Sequence, residues 1–196
     1  IGEDSLDAGV VAGIIGLFLV ALFIVGYYRL LGLVALASLA ISGSLLWAII
    51  AHLGTQSGLA LTLAGVTGII VAIGVSVDSN VIYFEHLKED IRDGRTARSS
   101  VDRAFPVAFS TIVKADMASL IGAGLLWWLT VGAVRGFALY LGLATILDLV
   151  ATYFFMGPMV RLLSTTRWFA EHPERFGLPS SGAVSPITGG FRRAGA

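Results

Sequence analysis

Three acidic side chains stand where lipid is the expected solvent. Asp78, Asp116 and Asp148 each fall inside a stretch of apolar residues about 20 long, enough to cross a hydrocarbon core roughly 30 Å thick. An ionised carboxylate at that depth is expensive, so each acid must be held neutral by a proton, paired with a cation or reached by water. All three conditions suit a proton carrier. The competing role is a helix-to-helix hydrogen bond, in which the protonated acid is permanent glue.

The elements that must position these acids follow from the apolar pattern, which predicts an all-α, polytopic bundle of five spans at 8–28, 31–53, 61–84, 107–130 and 136–158. Composition agrees, with 56% hydrophobic and 13% charged residues and 24 Gly, unlike any water-soluble domain. A net charge of zero argues against a nucleic-acid partner, and the lack of Cys removes disulfides and thiol chemistry.

Lys and Arg set the orientation. Arg29, the group Lys88, Arg92, Arg95, Arg98 and Arg103, and the group Arg161, Arg167, Arg175, Arg192 and Arg193 all fall on one side of the membrane. The other side offers Arg135, while the leader 1–7 carries Glu3, Asp4 and Asp7. The positive-inside bias places the N-terminus outside and the C-terminus in the cytoplasm. An extracytoplasmic leader with no signal peptide predicts a further span and an extracytoplasmic domain upstream of Ile1.

In this orientation Asp78 lies about 25 Å of helix past Leu61 and about 9 Å before Phe84. Its side chain tilts toward the N-terminus of its helix, hence toward the bilayer centre, and cannot easily reach the cytoplasm. Asp116 and Asp148 sit at similar depth, about 14 and 15 Å from the cytoplasmic ends of their spans. Three acids at one level predict a polar interior, though Asp116 and Asp148 could each simply bond a neighbouring helix. Lys114 is two residues from Asp116 and does not face it; it snorkels toward the cytoplasm.

The third span also carries packing signals. Ala64, Gly68 and Ala72 give small-residue spacing of four, which allows close helix approach. Gly74, one turn before Asp78 on the same face, lets a partner helix come near the carboxylate. Ser76, Ser79 and Asn80 read as packing residues.

The segment 85–106 reads as an amphipathic cytoplasmic connection, with Phe84, Leu87 and Ile91 on one side and Glu85, Lys88, Glu89 and Arg92 on the wetter side. Gly94 stops the first helix, Thr96 caps a second, and Pro106 is expected to break it. Trp47, Trp127, Trp128, Trp168 and His52 fall near membrane boundaries as interfacial residues. Residues 159–196, rich in Pro, Gly and Ser, read as a flexible cytoplasmic tail.

The stretch GIIVAIGVSVDSNVIYFEHLKEDIRDGR, from Gly68 to Arg95, resembles the intramembrane-Asp motif of the SecD family of bacterial protein-export proteins, in the resistance-nodulation-division superfamily. The stretches AGVVAGIIGLFLVALFIVGYYRLLGLVA, AFPVAFSTIV and VRGFALYLGLATILDLV are similar to further segments of that family's C-terminal membrane portion. The resemblance implies a multi-pass subunit of the bacterial cytoplasmic membrane, half of a pseudo-symmetric bundle completed by SecF. It implies work with the SecYEG channel on preprotein substrates, driven by protons as coupling ion, with no other cofactor and no enzymatic site. Asp78 falls on that family's proton-pathway Asp. Where many members have Asp and then Asn, this chain has Lys114 and Asp116, so the roles of those two stay open.

Other classes remain. A proton-driven exporter of small molecules or lipids would share fold and buried acids. An intramembrane aspartyl protease would need a GxGD-type helix, whereas Gly74-Val75-Ser76-Val77 precedes Asp78. A structural scaffold would tolerate Asn at position 78.

Overall fold

The computed structural model describes residues 2–57, 62–166 and 173–178, and these are helical apart from short turns. Five rods result: α1 (Gly2–Tyr28), α2 (Leu30–Ser57), α3 (Leu63–Arg92), α4 (Ala97–Leu129), and α5 (Ala133–Ala151), which continues through a π-turn at Thr152–Met156 into α6 (Gly157–Ser164). Among the described residues, five helices are long and apolar enough to cross a membrane, as the sequence predicts. Exposed Ile14, Phe18, Leu22 and Phe23 on α1 give the bundle a lipid-compatible outer wall.

One residue joins α1 to α2. Arg29 takes a left-handed backbone (φ 51°), and the chain folds back so tightly that a Cβ on Gly32 would lie 2.6 Å from the Ile24 carbonyl oxygen. Close approach recurs between α3 and α5, which run in the same direction. A Cβ on Gly68 would come 2.7 Å from the Phe137 carbonyl oxygen, and one on Gly65 2.5 Å from the Tyr140 ring. Without a hydrophobic drive between helices in lipid, this backbone proximity supplies the packing energy.

The bundle is packed unevenly along its length. The main core gathers Ile24, Tyr28, Leu31, Tyr83, Phe84 and Met156 with their neighbours at the basic end, whereas the other end has a small cluster around Leu46, Ile50 and Tyr140. Aromatic contacts reinforce the first group, among them Tyr28 on Phe84 (ring centroids 5.1 Å apart) and Tyr83 on Phe105 (5.4 Å).

Three details differ from the sequence expectation. Pro106 does not break its helix: α4 starts after the Thr96 cap and runs through Pro106 to Leu129. Proline is tolerated within membrane helices where local adjustment re-satisfies the freed backbone, and Phe105 beside it packs its ring against Tyr83 and Gly157. The connection between α3 and α4 therefore shrinks to residues 93–96. Lys88, expected on the wet side of α3, is only 4% exposed. Finally, α6 continues the fifth rod to Ser164, and Phe176 and Leu178 are buried in the main core, so these parts of 159–196 are not a loose tail. The remainder of that segment, at 167–172 and 179–196 and including Trp168, lies outside the described residues.

Candidate functional site

Helix α3 separates two polar surfaces by its own geometry. Ser76, Ser79 and Asn80 point into the bundle and are 4%, 3% and 1% exposed. Asp78 lies on the other side and is exposed, in line with exposed Thr67, Val71 and Gly74. The 4-3-4 spacing of these residues makes one continuous stripe along a helix. Nothing stands within 4 Å of a Cβ built on Gly74, so the stripe is open beside the carboxylate. Ion pairs among the described residues include Lys88–Glu85, Arg95–Asp90 and Arg161–Asp102, and none of these involves Asp78.

Asp116 and Asp148 are the acids that the fold buries, at 0% and 3% exposure. Antiparallel packing of α4 on α5 brings them opposite each other. On one side of them Gly142 faces Ala123, at 3.6 Å from a built Cβ. On the other, Tyr153 faces Phe109, ring centroids 5.2 Å apart. Between these two contacts the matching positions are 116 and 148. The Ser76 hydroxyl on α3 donates to Asp148 Oδ1. Both Asp116 oxygens and Asp148 Oδ2 are buried without a hydrogen-bond partner among the described residues, as is the Thr152 hydroxyl one turn beyond Asp148. Lys114 is exposed on a different face of α4.

The sequence places all three acids at one depth but gives no sign that two of them are buried on facing helices while the third turns outward. That division depends on which face of α3 meets α5, which Gly65 and Gly68 decide. Of the packing residues, Gly68 and Asn80 are buried inside the bundle, whereas Gly74 serves the outward stripe.

A further polar cluster escaped the sequence reading. At the basic end Lys88 Nζ donates to Glu85 Oε1 (3.1 Å) and lies over the rings of Tyr27 and Tyr28, 4.1 and 4.2 Å from their centroids. The Tyr28 hydroxyl donates to the same Glu85 oxygen at 2.9 Å. The cluster ties the α1–α2 turn to α3, and its only sequence signal is the Tyr27-Tyr28 doublet before Arg29. At the opposite end Arg135 stacks on Trp127, 4.5 Å from the ring centroid, while Trp47 and Trp128 are exposed, as interfacial residues are.

Residues 1–166 match the family described as Protein export membrane protein SecD/SecF, C-terminal. Protein translocase subunit SecD of Streptomyces coelicolor is 43% identical over 95% of this chain and 33% of its own length. The subunit of the same name from Mycobacterium tuberculosis is 43% identical over 95% of the chain and 32% of its own. The chain thus spans about a third of the length of these relatives. Among solved structures, SecDF of Thermus thermophilus, described as a translocon-associated membrane protein, superposes with a TM-score of 0.77 at 31% identity, over 84% of this chain and 23% of that one. SecDF in its super-membrane-facing form gives 0.75 at 31% identity, over 83% and 22%.

Proposed function

Because the chain belongs to the SecD/SecF family of protein-export membrane proteins, over its C-terminal membrane region, we propose that it uses proton flow to promote the translocation and release of preproteins outside the membrane. In this reading SecF supplies the other half of the bundle and the SecYEG channel the substrate. The coupling ion is the proton, no other cofactor takes part, and no covalent chemistry is performed.

One observation carries the reading: Asp78 stands at membrane depth on the open stripe of α3, beside a Gly that leaves room for another helix. A carboxylate so placed belongs to an interface between halves, where a cation of the partner can hold its charge and a proton can displace that cation. Each proton crossing the membrane releases about 2.3 kcal/mol per 100 mV. Protonation removes the charge that holds the two halves together, which biases a two-state packing. Asp116 and Asp148 add proton-binding capacity inside this half.

The test places Asp78→Asn in the full-length subunit, reconstituted with SecF and the Sec channel. Preprotein release is followed with and without a proton gradient. Loss of the gradient-dependent part, with the complex assembled, is the expected result. Release that stays gradient-dependent would reduce Asp78 to helix glue.

A further inference from the structure

Two ionised carboxylates cannot face each other inside a lipid-embedded bundle without a cation, and the described residues bring none to this level. From α3 come Ser76 and Ser79, from α4 Asp116, from α5 Asp148, and one turn further Thr152; Lys114 is turned away and Asp78 lies on the far side of α3. At least one proton must therefore reside on the pair. The donors identify its position. Asp148 accepts from the Ser76 hydroxyl, as an ionised carboxylate does, whereas Asp116 has two buried oxygens and no donor aimed at either. Asp116, with both oxygens buried and undonated, fits the protonated member of the two.

Such a pair can take one proton more. A second proton would convert the singly charged pair into a neutral one and would leave Ser76 donating to a neutral acid. On the Ser76 side a cavity of about 710 Å³ lies between α1, α2, α3 and α5 and extends from Trp47 and Ile50 to Ser76, its apolar wall interrupted by Ser42 and Ser44. Trp47 and Ile50 lie toward the extracytoplasmic end of α2 in the orientation the basic residues set.

We propose that Asp116 and Asp148 form a second proton-binding site, separate from Asp78, that holds one proton between its two carboxyl groups and binds another reversibly through the Ser76 side. Its use in transport rests on the function proposed above, but its existence does not. The arrangement follows the rule that two carboxyl groups sharing a site cannot both ionise. The two macroscopic titrations belong to the pair and not to either residue.

The experiment reads protonation directly, with Asp78 removed, so that its outcome is independent of any export assay. The full-length D78N subunit, assembled with SecF in lipid nanodiscs, is followed by infrared spectroscopy of the protonated-carboxyl stretch. The range is above about pH 6, where exposed carboxylates are already ionised. Difference spectra are taken against D78N/D116N and D78N/D148N. A pH-dependent carboxyl band in D78N that is lost on replacing either acid is the expected result. A band that does not change with pH would show two permanently neutral acids acting as glue, and titration that survives either replacement would show that the acids do not share a proton; both overturn the proposal. D78N/S76A keeps both carboxyl groups and guards against misfolding of the Asn variants. It should retain the band with a displaced midpoint, and an unmoved midpoint would refute the part assigned to the Ser76 donor.

Discussion

Ser76 and Asp78, two positions apart on α3, face opposite ways: the Ser76 hydroxyl donates to Asp148 inside the bundle, and Asp78 is exposed on its outer stripe. One helix thus carries both Asp78 and the donor to Asp148, and any rotation of α3 moves the two together.

Gly68 and Gly74 should separate folding from assembly. Gly68→Val places a side chain against the Phe137 backbone, where overpacking costs about 1–3 kcal/mol. The variant should unfold at lower temperature or denaturant even as an isolated subunit in detergent. Gly74→Val meets open space within this chain and should leave that stability nearly unchanged, while weakening co-purification with the partner half. Equal effects in both assays would contradict the outward stripe.

Lys88 is buried among Glu85, Tyr27 and Tyr28. Lys88→Met keeps the aliphatic stem but removes the charge that satisfies Glu85 and both rings. A loss of about 1–3 kcal/mol is expected from the broken charged hydrogen bond and cation–π contacts. Chemical denaturation of the detergent-solubilised subunit checks it.

The Arg161–Asp102 pair, although 2.8 Å apart, joins side chains that are 60% and 58% exposed. Water and salt screen it, so Asp102→Asn should cost less than about 1 kcal/mol. The same denaturation assay, run beside Lys88→Met, should rank the two variants by burial and not by distance.

Asp116→Asn and Asp148→Asn should be coupled. If the pair shares a proton, the double variant should lose less stability than the two single losses combined, by about 0.5–3 kcal/mol. Additive losses in the double-mutant cycle would mean that the acids act separately.

Much of the fold is legible in the sequence because lipid imposes strict rules: length and hydropathy give the five spans. The rules weaken where packing decides. Pro106 reads as a breaker, yet α4 runs through it, as membrane helices tolerate an internal proline. Lys88 reads as solvated because its charge hides the aromatic box that tertiary structure builds from a distant turn. The site is legible as a depth and a residue type. Its division into an outward Asp78 and an inward Asp116–Asp148 pair is not, since a membrane helix apolar on all sides does not announce which face meets which neighbour.

The uneven distribution of the core carries a mechanical meaning. Large aromatic side chains, the Lys88 cluster, the single-residue turn at Arg29 and the buried Phe176 all bind the helices together at the basic end. At the other end Leu46, Ile50 and Tyr140 make a slighter contact. Rods clamped at one end flex most at the other, as the prongs of a tuning fork do. A small displacement at the level of the acids is therefore expected to be largest at the end of the bundle opposite the basic residues.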